Sequence, residues 1–486
     1  MTHQASFFAD FVASLGGDDP IARLRGGVIG EGVPVEGPFG TRKLVYADYV
    51  ASGRALRQVE AFMMEEVLPY YANSHTEASF CGERMTRMRR EARAVIARLC
   101  GADERFATVF AGAGATAGLN RLVALLGVPE AVAEGRGAVV FIGPYEHHSN
   151  ILPWRESGAR VVEIAEAPEG GPDLAALATA LMDAPKGALK IGAFSAASNV
   201  TGIVTDPDAV TRLLKRHGAL AVWDYAGGGP YLPIDMAAGT DAEKDAVVVS
   251  AHKFIGGPGA SGVMIVRRAA VARARPVFTG GGTVRFVSPW AHDYSADVAV
   301  REEAGTPNVV GDIRAALCFL VKDAIGQDFM DRRHEALRQR ALKVWSANPN
   351  IEIMGNPGAT RRLPIFSFRV RDERGGHVHQ QLFTRMLSDC HGVQARGGCA
   401  CAGPYAHRLL GIGADQSEVI RSAILSGQEM EKPGWTRLNL SVLCDDAKAD
   451  FIIGAVDDLA RNPWPMIDTY ACDQSTARFK PTRDAA

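Results

Sequence analysis

What this chain lacks narrows it quickly. No apolar stretch approaches the roughly 18 residues that a membrane span requires. The opening residues, MTHQASFFADFVASLGGDDP, show no basic start, no long apolar run and no cleavage site, so we expect no signal peptide and a cytoplasmic location. Neither sign of charge is in excess: 53 Lys and Arg against 55 Asp and Glu leave a net charge of −2, which removes the electrostatic case for nucleic acid or an acidic membrane as partner. Cysteine is sparse, eight in 486 residues, too few for a disulfide framework. Cys81, Cys100, Cys318, Cys390, Cys444 and Cys472 are scattered singly and read as free thiols of a reducing compartment. Cys399 and Cys401 form a C-x-C pair in a glycine-rich loop, but no second Cys or His pair stands at zinc-binding spacing, so no metal is expected. Repeats and low-complexity tracts are absent as well.

What is present is an ordinary globular composition, 47% hydrophobic and 22% charged, with length enough for two or three domains. From about residue 85 to 270 helical and strand patterns alternate. MTRMRREARAVIARLCG places Met85, Met88, Val95, Ile96 and Leu99 on one helical face, and Leu119, Leu122, Val123 and Leu126 do the same in GLNRLVALLG. AVVFIG (138–143), KIGAFS (190–195), ALAVWD (219–224) and AVVVS (246–250) are short apolar runs ending in Gly, Ser or Asp, as buried parallel strands do. In DPDAVTRLLKRHG, Asp206 caps a helix, Pro207 opens it and Gly218 ends it. The alternation predicts an open, mainly parallel α/β sheet covered on both faces. After Asn308 the texture changes: a long helical stretch (312–347), PIFSFRV, a helix near 377–391, the cysteine loop, LNLSVL and a last helix (446–461). We therefore divide the chain into an N-terminal segment (1–40) packing on the smaller domain or a dimer partner, a large domain (41–310), a smaller α+β domain (311–470) and a tail (471–486). Residues 403–435 are long for a connection and read as a surface insertion or lid.

Ligands of open α/β sheets bind at the carboxyl ends of the strands, and four candidate groups fall there. Lys253, in SAHK (250–253), follows AVVVS and precedes a glycine-rich stretch that lets backbone approach a ligand. A lysine so placed is a Schiff-base nucleophile or, more plainly, a snorkelling surface residue. Asp224 ends ALAVWD, 29 residues earlier, where it is a buried carboxylate or a helix cap. GAGAT (112–116) opens a helix, whose free amides, with the Thr116 hydroxyl, suit a phosphate. EHHSN (146–150) follows AVVFIG, and an imidazole there can stack on an aromatic ring and move a proton. Adjacent histidines diverge, which argues against a metal pair. Pyridoxal phosphate needs all four: an amine to hold it, a carboxylate to keep its ring nitrogen protonated, a phosphate cradle and a stacking ring. A dinucleotide-binding oxidoreductase using Gly112 and Gly114 is the contrasting reading. Its third glycine would fall at Ala117, with Gly118 one residue late, and no acidic residue follows a strand some 20 residues on.

In order along the chain, YADYVAS, GATAGLN, EHHSNILPW, SNVTG, WDYAGG, SAHK, GGGTV and EEAGTPN resemble the class V aminotransferase family of fold type I, in its cysteine desulfurase and selenocysteine lyase branch, from about Tyr46 to Leu459. The resemblance implies a fold type I enzyme with a large sheet domain and a smaller α+β domain. It makes His147 the ring-stacking residue and places Asn199 near the cofactor's phenolate oxygen and the substrate. Asp224 falls on the ring nitrogen, and Ala115, Thr116, Ser250 and His252 on the phosphate. Lys253 carries the cofactor, and Thr283 reaches the phosphate of a partner subunit in a homodimer. Two positions depart from the pattern: Gly227 stands where the family usually has a glutamine on the phenolate oxygen, and Ala115 where one branch has a second threonine.

QARGGCACAGP (394–404) resembles the family's persulfide loop, in which an arginine precedes the nucleophilic cysteine by five residues, as Arg396 precedes Cys401. There a thiolate takes the sulfur of substrate cysteine and alanine leaves; a cation such as Arg396 favours the thiolate. Arg437, in WTRLNLS, is similar to the arginine that clamps the substrate carboxylate, a bidentate match to an α-amino acid. The expected activity is thus cysteine or selenocysteine breakdown to alanine, with Cys401 carrying sulfur to an acceptor protein. The alternative is another class V reaction, transamination or β-elimination, with Cys401 idle.

Overall fold

The computed structural model describes residues 6–74, 76–373 and 375–482; residues 1–5 of the N-terminal segment and 483–486 of the tail lie outside it. The apolar runs build one sheet from seven strands: β1 (Phe106–Gly112), β2 (Ala138–Ile142), β3 (Arg160–Glu163), β4 (Leu189–Ser195), β5 (Leu220–Asp224), β6 (Ala246–Val249) and β7 (Gly262–Arg267). Their spatial order is β1-β7-β6-β5-β4-β2-β3. β2 to β6 pair in parallel, while β7 runs antiparallel between β6 and β1. This is the expected mainly parallel α/β sheet. Strands β2, β5 and β6 are apolar along their length because both faces are covered. β1, β3 and β7 complete the sheet beyond the four strands expected from sequence.

Helices cover the sheet as their apolar stripes require. α1 (Phe80–Leu99) is capped by Ser79 and buries Met85, Met88, Val95 and Ile96. α2 (Gly114–Leu125) lies on the other face with Leu119 and Leu122 buried. α3 (Pro207–Arg216) begins on the Asp206 side chain, which accepts from the Asp208 and Ala209 amides, and Gly218 follows its end in the left-handed region at φ +67°. The stretch expected as one helix over 312–347 is two: α4 (Val309–Ile325) and α5 (Gln327–Trp345), separated by Gly326 at φ +80°. That φ cannot continue a right-handed helix, so the glycine turns the chain. α4 is buried against α1 and shares their core with Phe8, Phe11, Leu15 and Leu24 of the N-terminal segment.

A second, four-stranded sheet of β8 (Ile351–Ile353), β9 (Ile365–Val370), β10 (Arg396–Gly398) and β11 (Trp435–Asn439), ordered β8-β9-β11-β10, has its own core with α5, α6 (Gln380–His391) and α9 (Asp446–Arg461). The strand expected across LNLSVL ends at Asn439. Between β10 and β11, where a surface insertion or lid is expected, the chain forms two helices, α7 (Gly403–Leu409) and α8 (Ala414–Leu425); α8 buries no residue. Among the described residues no helix is long and apolar enough to cross a membrane.

Candidate active site

Strands β1, β2, β4, β5 and β6 all deliver their carboxyl ends to one edge of the large sheet, and a cavity of about 250 Å³ lies there. Its wall includes Ala115, Thr116, His147, Asn199, Asp224, Ser250, His252, Lys253, Arg396, Cys401 and Arg437. Apart from Thr283, every residue singled out as a candidate meets in this one space. Thr283 is fully buried elsewhere, its hydroxyl donating to the Gly280 carbonyl at 2.7 Å.

The phosphate-like end is set by β1, α2 and the turn after β6. The Ala115 amide at the start of α2 donates to Ser250 Oγ at 3.0 Å, so the two expected phosphate segments are already joined. Gly114 sits at φ +64°, and a Cβ there would lie 3.0 Å from Ser250 Oγ and 3.1 Å from the His252 ring; no side chain fits this close approach. Thr116 Oγ1 meets Ser149 Oγ at 2.7 Å, and the Ser149 amide donates to His147 Nδ1 at 3.1 Å. That bond requires a neutral Nδ1 acceptor. Burial, reinforced by the Lys253 charge, keeps His147 neutral by pushing its pKa down to about 4.

At the cavity floor Asp224 is buried and Lys253 half-buried. Burial raises Asp224 above the usual carboxylate range, against the Ala226 amide, which donates to it at 2.7 Å, and against the Lys253 charge. Burial brings Lys253 down to about 8, with Asp224 opposing and Arg437 and Arg396 reinforcing the drop. An amine with that pKa has a substantial nucleophilic fraction near neutral pH. Beneath them lies a group that sequence reasoning passed over. Glu146 is buried, and its carboxylate accepts from the Ser195 amide (2.8 Å), the Ser195 hydroxyl (2.5 Å) and Asn150 Nδ2 (2.7 Å). Ser195 stands opposite Asp224 in the β4–β5 register. Burial overrides these bonds and lifts Glu146 to about 7. Its only sequence signal is its position at the head of EHHSN.

The mouth is built from the second sheet. Arg396 and Arg437 are directly opposed on β10 and β11, a like-charge pair that costs stability unless neutralised. Asp48 supplies the neutralising charge: its two oxygens accept from Arg396 Nε and Arg437 Nη2, each at 2.9 Å. This aspartate, inside YADYVAS, is the second site residue that the sequence did not single out. Arg437 is buried, its Nη1 donates to the Asn199 carbonyl at 3.1 Å, and its Nε has no partner. Asn199 Nδ2 in turn donates to the Ala400 carbonyl at 2.9 Å, tying cavity floor to cysteine loop. Cys401 is exposed and faces the cavity, whereas Cys399 packs against the cluster of Tyr145, Tyr405 and Trp435. At Gly227, a Cβ would lie 3.1 Å from the Ala197 carbonyl oxygen, tighter than ordinary contact.

A family model described as Aminotransferase class-V matches residues 45–427. Among curated proteins, probable cysteine desulfurases of Streptomyces coelicolor (28% identical over 371 residues, 75% of this chain and 85% of that one) and Pyrococcus abyssi (28% over 373 residues, 76% and 88%) are similar to it. Among solved structures, a cysteine desulfurase of Thermococcus onnurineus superposes with a TM-score of 0.71 at 24% identity, covering 86% of this chain and 95% of that one. One from Escherichia coli superposes with a TM-score of 0.67 at 21% identity, covering 90% and 98%. Both structures share its fold, and enzymes of this family generally depend on pyridoxal phosphate. With the match extending from the YADYVAS segment through the cysteine loop to α8, the chain belongs to the class-V aminotransferase family.

Proposed function

We propose that this protein is a pyridoxal-phosphate-dependent cysteine desulfurase, acting on L-cysteine or L-selenocysteine and releasing alanine. The observation that carries the reading is that one cavity is lined by Lys253, Asp224 and the Gly114–Thr116 turn on one side and by Cys401 on the other. The residues present fit the cofactor. An amine of lowered pKa would hold its aldehyde, a buried carboxylate would hold the proton on its ring nitrogen, and His147 would face its ring. The amides and hydroxyls of Ala115, Thr116 and Ser250, with His252, would take its phosphate. When bound, the cofactor supplies an electron sink for the substrate's α-carbon.

The chain's own residues then divide the remaining work. The buried, unpartnered Nε of Arg437 supports a grip on the substrate carboxylate, with Asn199 beside it. Arg396 lines the same cavity as Cys401. Cys401 would take the sulfur: the carbon–sulfur bond of substrate breaks, a sulfur–sulfur bond to Cys401 forms, and cysteine plus thiol become alanine plus persulfide with no outside oxidant. Its exposure supports onward transfer to an acceptor protein. The proposal includes a cytoplasmic homodimer; Thr283, fully buried with its hydroxyl on the Gly280 carbonyl, would reach the partner's phosphate only once that turn opens. Support comes from a neighbouring hairpin (Val284–Val287 paired with His292–Tyr294) that leaves Phe286 55%, Val287 63% and Trp290 90% exposed. A fully active monomer in sedimentation at assay concentration overturns that part.

The deciding experiment is a product assay with L-cysteine on purified protein. Alanine with one added sulfur on Cys401 by mass spectrometry is expected, and sulfide equal to alanine when a thiol reductant is supplied to reduce the persulfide. Pyruvate with ammonia would instead establish a β-eliminating lyase, and turnover undiminished in Cys401→Ala would show that the loop is not the sulfur acceptor.

A further inference from the structure

Cys401 is held by very little regular structure. Ala400 and Cys401 carry φ of +55° and +54°, a backbone region that non-glycine residues rarely adopt and that two in succession do not keep without outside restraint. One restraint is Asn199, donating to the Ala400 carbonyl at 2.9 Å. The other two come from a single residue. The His148 amide donates to the Cys401 carbonyl at 2.8 Å, and His148 Nε2 accepts from the Gly403 amide at 2.8 Å. His148 thus grips the loop on both sides of the Cys401–Ala402 peptide, while its neighbour His147 lines the cavity floor.

The imidazole can serve as acceptor only while Nε2 is unprotonated, with the ring proton on Nδ1. Its surroundings keep it so: burial lowers its pKa and the Arg155 cation adds to the drop, while the other imidazole near it, His147, with ring centroids 6.1 Å apart, is itself neutral. The fit is close on the loop side as well. A Cβ at Gly403 would lie 2.9 Å from His148 Nε2, so any larger residue pushes the imidazole off.

We infer that His148 is a positioning residue that fixes Cys401 over the cavity, coupling the cysteine loop to the strand end that carries His147. The inference rests on Cys401 being the sulfur carrier, and it goes beyond that reading by naming the side chain that sets the thiol's place. His148 touches neither substrate nor cofactor; it acts through the loop backbone.

The test uses the holoenzyme with three variants, His148→Ala, His148→Gln and Gly403→Ala, and two readouts. The first is amide hydrogen exchange of the peptide spanning 396–405. The second is the split of kcat and KM for alanine formation from L-cysteine. His148→Ala and Gly403→Ala should each speed exchange about tenfold. Each should lower kcat between about tenfold and a hundredfold with KM within about twofold, because the Arg437 grip is untouched. His148→Gln, whose amide oxygen can accept from Gly403, should recover most of both. The double variant His148→Ala/Gly403→Ala should be no worse than either single change, since both break the same bond. Unchanged exchange in both single variants, loosened exchange with unchanged kcat, or additive effects in the double variant would each overturn the inference. If the unmodified enzyme makes no alanine from cysteine, the desulfurase reading falls instead, and exchange alone then decides whether His148 holds the loop.

Discussion

The floor and the mouth of the cavity are built on different physical terms. The floor (Asp224, Lys253, Ser250, His147 and Glu146 beneath them) sits on strand ends buried in the large sheet, where burial dominates every charge and moves Lys253 to about 8, His147 to about 4 and Glu146 to about 7. The mouth around Arg396 and Cys401 is a partly exposed loop, its cysteine in a strained conformation held by three hydrogen bonds with Asn199 and His148. A rigid floor suits chemistry common to a whole family, because preorganised charges must not move. A mouth of loops suits whatever is particular to one member, since loops change without disturbing the core. Asp48 and Asn199 are where the two meet: one bridges the arginines, the other ties Ala400 to the floor.

Changes at the floor should break cofactor chemistry outright, and changes at the mouth should spare the cofactor. Lys253→Ala should have the largest effect, with no cofactor fixed by borohydride and no measurable turnover; recovery of the reduced label on another lysine in the unmodified protein would remove Lys253 from its role. Asp224→Ala should keep the fold and lose about a thousandfold in turnover, ~4 kcal/mol of barrier, by steady-state assay and circular dichroism. Cys401→Ala should cut sulfur release about a hundredfold or more while leaving the visible absorbance of the bound cofactor intact, which is the sharpest form of the contrast. The rate at which cofactor-free protein captures pyridoxal phosphate should rise about tenfold per pH unit and level off above about 8, since only the neutral Lys253 amine attacks. The same drop in pKa leaves a desolvated ammonium below pH about 8, so the cofactor-free fold should gain stability as pH rises from there toward the ordinary lysine value near ~10.4, checked by thermal melts across that window. Smallest of all, Cys399→Ala should leave turnover within about twofold, because that thiol packs against Tyr145, Tyr405 and Trp435 away from the cavity. A loss equal to that of Cys401→Ala would show the wrong sulfur had been assigned.

Sequence reading reached four of the five strands that carry the site because each is a short apolar run ending in Gly, Ser or Asp. It missed β1, although the carboxyl end of that strand carries the Gly114 turn, and it missed β3 and β7. The helix over 312–347 was read through Gly326 because a single glycine is tolerated inside a helical pattern, and only its φ shows that it turns the chain.

The sequence by itself determined the α/β class, the order of motifs and the floor residues other than Glu146, because periodicity, strand ends and spacing are local properties written in consecutive residues. Tertiary structure alone decided the rest. Asp48 meets Arg396 and Arg437 across 348 and 389 residues of chain, and His148 meets Gly403 across 255. How far burial moves Lys253, His147 and Glu146 depends on what the fold packs around them. Desolvation and long-range contact have no counterpart in the order of residues, and they set the chemistry of this site.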